Sequence, residues 1–335
     1  MIIVLKIACS GMTAGIYFSS KSKKQGFSIV MISMAYALSS YMVGYCWNVM
    51  WLDAIMIFPI IMMGLERLIE KKDGRLYCIA LFYALYCNYY IAFMICIFAV
   101  IWYLLYSFKS IKQFFFRGIA FAFYSFLAAG MAAILLIPAY MGIKQTASGE
   151  TMQLPEHSFL TSVADLLNRQ FALWSPISHD NFDGNANLYI GIFSVLAVGL
   201  YVLNGEIKVS EKIKKVLLIG LFYLSFSEMI LNFIWHGFHD QYGIPNRFSF
   251  LFGFVLLYML WEVFEHLEGV KGWHAAFACM AGVALMAYAK LKGTQVLEDN
   301  VYGVAGMLLL LYGMLLFFYT LSRKGKYIYL SLIHI

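Results

Sequence analysis

The chain is a succession of apolar runs, each about as long as a bilayer is thick. They cover roughly residues 1–19, 26–46, 51–67, 76–107, 118–141, 188–204, 216–235, 247–263, 273–289 and 301–321. A helix needs about 20 apolar residues to cross the hydrocarbon core, and a barrel strand only about 10. Lipid offers backbone groups no partner, so runs of this length are read as spanning helices. The chain is 62% hydrophobic and 13% charged, whereas an ordinary soluble domain is about 25% charged. That balance excludes a soluble enzyme, a disordered chain and a disulfide-stapled secreted domain. The net charge of +6 calls for no nucleic-acid partner, because the bases stand in short clusters between apolar runs, where topology accounts for them. The six cysteines lie in apolar stretches without a CxxC or metal spacing, and read as small packing residues.

One run is too long. As a straight helix, Leu76–Phe108 would extend about 50 Å, against a hydrocarbon core of about 30 Å. The alternative is a pair of short helices turning at Asn88-Tyr89-Tyr90. The distribution of bases decides between them. With the turn, 18 of the 24 Lys and Arg fall in loops on one side, in clusters such as Lys21/Lys23/Lys24, Arg67/Lys71/Lys72/Arg75 and Lys208/Lys212/Lys214/Lys215. Lys144, Arg169, Arg247, Lys290 and Lys292 remain outside, and Lys6 lies within a span. A straight helix would leave the two sides nearly even. The expected fold is therefore all-α, a polytopic integral membrane helical bundle of about 11 transmembrane spans. Trp47, Trp51 and Trp235 fall at predicted outer ends, and Trp102, Trp261 and Trp273 at inner ends, as an aromatic belt would place them.

The polar residues concentrate on the predicted outer side. The long loop 142–187 carries Glu150, Glu156, Asp165, Asp180 and Asp183. Within it, the period of Phe159, Leu160, Val163, Leu166, Leu167, Phe171 and Trp174 predicts an amphipathic helix over Ser158–Trp174, capped by Ser158 and carrying an Asp165–Arg169 pair. Such a helix lies in the membrane interface, either as a lid over packed spans or as a cavity wall. A second cluster runs from His236 through His239, Asp240, Tyr242 and Pro245 to Arg247. The histidine spacing is compatible with a metal, but the Gly and Pro residues point to a loop. Arg247 opens a span at headgroup depth, where a guanidinium suits either a bound phosphate or lipid phosphates. Asp53, beside an apolar run, is a candidate ligand for a divalent cation or a helix cap. Lys6 and Glu228 are the charges placed deepest in spans, and they could pair with each other or make structural contacts between helices.

Several stretches resemble the bacterial YfhO-type membrane proteins: Tyr45-Cys-Trp47-Asn48-Val-Met-Trp51-Leu-Asp53, Asn88-Tyr89-Tyr90-Ile-Ala-Phe-Met, Asn187-Leu-Tyr189-Ile-Gly191, Trp235-His236-Gly, and Pro245-Asn-Arg247-Phe-Ser-Phe. Their order and spacing cover roughly residues 1–265. The resemblance implies a GT-C-like fold and a multi-pass protein of the bacterial plasma membrane. It implies transfer of a sugar from a polyprenyl-phosphate carrier to a cell-envelope glycopolymer such as lipoteichoic or teichoic acid. By the same resemblance Asp53 takes the place of a metal-binding acid, with a divalent cation such as Mg or Mn. Arg247 holds the carrier phosphate, and His236, Asn88 and Tyr89 line the substrate site.

The sequence also departs from that pattern. Lys6-Ile-Ala-Cys-Ser-Gly resembles the family's second span, so the first span and the acid of the first outer loop are expected to be missing. The multi-span domain is read as residues 1–329. The last six residues, 330–335, match a translated sequencing adapter, so the chain is read as a fragment that would not turn over alone. Two other classes fit the same composition: a transporter or permease, supported by the helix break at Asn88, and a non-catalytic membrane assembly subunit.

Overall fold

A computed structural model describes residues 1–23, 26–145, 154–171, 173, 175–178, 186–239, 243–244, 246–294 and 298–322. Glu150, Trp174, Asp180, Asp183, Asp240, Tyr242, Pro245 and residues 330–335 lie outside these. Among the described residues the fold is all-α, as the apolar runs required. Among the described residues six helices are long and apolar enough to cross a membrane, with the two helices of Phe27–Gly44 counted together, and four shorter apolar helices accompany them. The chain divides into two compact units: Met1–Ser20, Cys46–His157 and Met229–Tyr242 form the first, and Lys21–Tyr45, Ser158–Glu228 and Gly243–Ile335 the second.

The first unit is built on α1 (Ile2–Lys21) and α4 (Val49–Lys71). The side chains of Lys6, Thr13 and Tyr17 share one face of α1, at helical spacing. They reach Asp53, the Met56 carbonyl and Glu66 of α4 in that order. Both sequences of contacts ascend, so the two helices run parallel. That is what the charge rule requires of spans separated by one other. Next come α5 (Arg75–Cys87) and α6 (Tyr89–Leu105), then α7 (Ile111–Met131) and α8 (Ala133–Ile143). The Phe121 ring touches both Tyr77, at 5.6 Å, and Tyr103, at 5.1 Å. A straight helix would hold those tyrosines about 39 Å apart. The chain therefore reverses at Asn88, as the distribution of bases predicted. Tyr106 also donates to Glu70 at 2.6 Å, and Arg117 Nε to the Ile69 carbonyl at 2.9 Å. The closing end of the hairpin thus returns to the basic end of α4. Burial separates core from periphery: 67% of the apolar window of α4 is buried, but only 6% of that of α7. The Phe115, Ile119, Phe123 and Phe126 side chains of α7 are exposed, as a lipid-facing surface requires.

The second unit contains α2 (Phe27–Ala37) and α3 (Ser40–Gly44). A six-residue helix, α9 (Val163–Asn168), lies in the segment between α8 and α10. It is followed by α10 (Phe193–Leu203) and α11 (Val209–Ser227). After α12 (Met229–Trp235), which belongs to the first unit, come α13 (Ser249–Glu265), α14 (Gly272–Lys292) and α15 (Asp299–Leu321). Most residues of α13 are buried. Phe222, Phe226, Phe248 and Phe252 stack around its start. Helices α14 and α15 approach through small residues: a Cβ on Gly313 would stand 3.0 Å from that of Cys279.

Two expectations are corrected. The predicted helix over Ser158–Trp174 forms only at Val163–Asn168, capped by Ser162 rather than Ser158. The reason is that Phe159 and Leu160 are extended: the Leu160 N–H donates to the Ser227 carbonyl at 2.7 Å, and Phe159 pairs with Glu228 in an antiparallel bridge. Nor is α9 a helix lying free in an interface, because Ala164, Asp165, Leu166 and Asn168 are buried. Trp47 and Trp273 are exposed, but Trp51, Trp102, Trp235 and Trp261 are buried among protein neighbours. All six cysteines are free, with Cys78 and Cys279 buried.

Helix α4 meets α5 at Gly64, where an added Cβ would lie 2.4 Å from the Tyr77 nitrogen. Backbone cannot yield as a side chain can, so Gly64→Ala is expected to cost about 1–3 kcal/mol. Gly142, in α8, has no atom within 4 Å of such a Cβ, and Gly142→Ala should instead gain up to about 1 kcal/mol of helix propensity. Thermal unfolding in detergent checks this: the two variants should shift Tm in opposite directions.

Candidate functional site

The first unit gathers four of the five candidate residues. Asp53 lies in the second turn of α4, not in the preceding turn, and the helix begins after Asn48 without a side-chain cap. Its carboxylate has a different task. Lys6 Nζ donates to Asp53 Oδ2 at 2.6 Å and to the Val49 carbonyl at 3.1 Å. The two side chains are 16% and 19% exposed. The partner of Lys6 is thus Asp53, 47 residues away. Asp53 Oδ1 accepts no hydrogen bond among the described residues. The Cys87 thiol, just before the break in the α5–α6 hairpin, feels the charges of both Asp53 and Lys6, and Tyr83 is hydrogen-bonded to that thiol. The ion pair therefore stands next to the helix break.

Asn88 builds that break. Its backbone is extended, its N–H closes α5 on the Ala84 carbonyl at 2.9 Å, and its Oδ1 caps α6 by accepting from the Ile91 N–H at 2.8 Å. One residue ends one helix and starts the next. Tyr89 is exposed beside it. Tyr90 carries the break toward the end of α12. His239 stacks on its ring at 5.8 Å, and His236 lies 6.3 Å from it. His236 is fully buried, and its Nδ1 lies 2.7 Å from the Asn232 carbonyl. A carbonyl can only accept, so Nδ1 carries the proton. After Trp235 the chain turns sharply: the Phe238 N–H reaches the Phe233 carbonyl and the Gly237 N–H that of Ile234. This is a Schellman closure, and Gly237 supplies its left-handed residue at φ 83°.

Arg247 belongs to the second unit. It sits in the turn before α13, with Nε donating to the Ile244 carbonyl at 2.9 Å, while its own carbonyl accepts from Tyr41 OH at 2.7 Å. Arg247 and Arg169 both act electrostatically on the buried Tyr45 hydroxyl. Sequence reasoning missed Arg169 here, because helical spacing pointed only to Asp165. It also missed Asn187, whose amide exchanges two hydrogen bonds with the Ile177 backbone at 2.9 and 3.0 Å. Gly44 leaves the room for this clamp, since its Cβ would lie 2.6 Å from the Ile177 carbonyl. A neighbouring Asn and Gly in the motifs was the available signal. Glu228 is buried at the break between α11 and α12.

The donor set around Asp53 bears on a divalent cation. Among the described residues, no three His, Cys, Asp or Glu stand together as a metal site would need. Asp53 contributes one carboxylate, and its neighbour is an ammonium. The described residues at Asp53 do not by themselves fit Mg or Mn.

Compared with known families, the whole chain, residues 1–335, matches the one described as bacterial membrane protein YfhO. No curated protein and no solved structure matches it.

Removing one member of a poorly solvated ion pair strands the other, at a cost of about 3 kcal/mol. Lys6→Met and Asp53→Leu should each destabilise the protein by roughly that amount. The double variant should recover most of the loss, because no charge is left without its partner. Thermal unfolding of the three variants in one detergent forms the cycle, and additive losses would show that the pair is not coupled.

Proposed function

Because the chain belongs to the YfhO family of bacterial membrane proteins, we propose that it acts as a multi-pass glycosyltransferase of the GT-C type in the bacterial plasma membrane. The substrate is a sugar carried on a polyprenyl phosphate, and the acceptor is a cell-envelope glycopolymer such as teichoic or lipoteichoic acid. The observation that carries this reading is the Asp53 carboxylate, held through one oxygen by Lys6 and open at the other, next to the α5–α6 break. An oriented carboxylate can take the proton of an acceptor hydroxyl as the new glycosidic bond forms. The bond from sugar carbon to phosphate oxygen breaks, and the departing phosphate needs positive charge. Within the second unit, Arg247 is the residue that the family resemblance assigns to the carrier phosphate. The exposed Tyr89 is assigned to substrate contact, and His236, 6.3 Å from the Tyr90 ring, to support of that ring. Asn88 acts by holding the break open between two capped helices.

A transporter remains the second reading, favoured by the interruptions at Asn88 and Glu228. Discontinuous helices of this kind form midplane binding sites in transporters. Uptake into liposomes that is lost in Glu228→Gln would select it.

The transferase reading is tested in membranes containing the protein, a labelled polyprenyl-phosphate sugar and the envelope polymer. Label should enter the polymer, an outcome that would also overturn the expectation that the chain does not turn over alone. Asp53→Asn should reduce the rate about 100-fold or more, as expected for a lost general base. Arg247→Ala should reduce it about tenfold or more, as expected for a lost charged hydrogen bond. Full activity in both variants would overturn the assignment of these residues.

A further inference from the structure

In the second unit, α14 and α15 leave a groove of about 620 Å³ between them. Every residue that lines it is apolar or a cysteine. It exists because the side chains at Ala276, Ala284 and Gly313 are short, while Met280, Met314 and Phe318 stand out beside them as exposed groups. Along α14 it runs from Ala276 to Ala287, about 17 Å at 1.5 Å per residue. Half of a hydrocarbon core is about 15 Å thick. A helix about 10 Å across would need about 1,300 Å³ over that length. The groove therefore suits one flexible chain and not another span, and unbranched methionine side chains adapt to such a chain. A lipid tail gains no hydrophobic energy by leaving bulk lipid for an apolar surface. Selection must come from the end at which a headgroup would lie.

The two ends of the groove differ in charge. Beyond Ala287, Lys290 is already paired with Asp299 at 2.7 Å. Before Ala276 the helices close up, since a Cβ on Gly272 would stand 3.1 Å from Thr320 Oγ1 and 3.2 Å from the Phe317 ring. A chain in the groove leaves it there, beside the exposed Lys271 and Trp273. Trp273 shares a face with Ala276 and Met280, at helical spacing. An exposed tryptophan at a span's end suits headgroup level, with its ring in the apolar boundary and its N–H in the polar one. Lys212 stands at the same end, because it and Lys271 both act electrostatically on His274. The acid there, Glu268, acts instead on Tyr319, which α15 carries on its far side from the groove. In the sequence three further bases, Arg323, Lys324 and Lys326, follow α15 from this same end. One end is thus basic and the other neutralised. The 17 residues of α13 put about 26 Å between the basic end and Arg247, so a phosphate held here is not the one assigned to Arg247.

We infer that the α14–α15 groove is a binding site for an anionic glycerophospholipid, with one acyl chain along the groove and the phosphate at Lys271 and Trp273. The groove accepts the chain, and the bases select the headgroup, because each Lys or Arg near a membrane surface strengthens the hold on an anionic lipid. The inference goes beyond the transferase reading and does not require it, since neither Asp53 nor Arg247 takes part.

The test uses the full chain, delipidated in detergent, and native mass spectrometry. The probes are phosphatidylglycerol, phosphatidylcholine and a polyprenyl phosphate. Phosphatidylglycerol should bind saturably and at least about fivefold more tightly than phosphatidylcholine. Lys271→Ala should weaken its binding about fivefold, the effect of one base near a membrane surface. Ala284 is exposed, so Ala284→Trp should fill the groove from outside and abolish saturable binding. Ile134→Trp, on the exposed face of α8, should leave binding unchanged. Should Ala284→Trp unfold, the unaltered protein still reports the location: phosphatidylglycerol with a diazirine in one acyl chain should crosslink to Met280 and Met314. The inference is overturned if phosphatidylcholine binds as tightly as phosphatidylglycerol, if the polyprenyl phosphate binds more tightly than either, if the crosslinks fall outside α14 and α15, or if filling the groove leaves binding unchanged. A dimer that Ala284→Trp dissociates would also overturn it, because the occupant would then be a second copy. None of these outcomes bears on the labelled-sugar assay of Asp53 and Arg247, so failure of one reading is distinguishable from failure of the other.

Discussion

A charge taken out of water needs a partner, and the Lys6–Asp53 pair is where this rule organises the first unit. An isolated lysine within a span would have to reach the interface or lose its proton. Here it crosses to the neighbouring helix, binding one carboxylate oxygen and the Val49 carbonyl. Thr13 and Tyr17 continue the same face of α1 with bonds to the Met56 carbonyl and to Glu66. Apolar side chains alone would drive these helices together only weakly in lipid, where tails are as apolar as leucine. The polar contacts therefore set the register and the parallel direction of α1 against α4. Everything that depends on α4, including the hairpin that returns to its basic end, inherits that register.

The same scarcity of partners governs the helix breaks. Interrupting a helix frees N–H and C=O groups that lipid cannot satisfy. At Asn88 one side chain and one backbone N–H close both helix ends. At Glu228 the solution is longer range: the Ser227 carbonyl accepts from Leu160, so a loop segment becomes the partner of a broken helix. The first solution costs one residue and yields a tight hairpin. The second fixes an extended segment beside α11.

These two solutions explain what could be read in the sequence. The hairpin was legible because two independent signals agreed: a run too long for the bilayer, and a distribution of bases that made sense only with a reversal. The direction of α1 against α4 followed from the same counting. The partner of Lys6 was not legible, because a lysine within a span can reach any of several neighbours, and spacing along the chain does not identify which. The helix predicted over Ser158–Trp174 was shortened by tertiary structure. Its apolar period was genuine, but a backbone bond to Ser227 held Leu160 in an extended conformation, and periodicity cannot register a competing partner. The tryptophans divide by burial. Position at the end of a run is shared by belt residues and by residues packed under a neighbouring helix, and only burial separates Trp47 from Trp51.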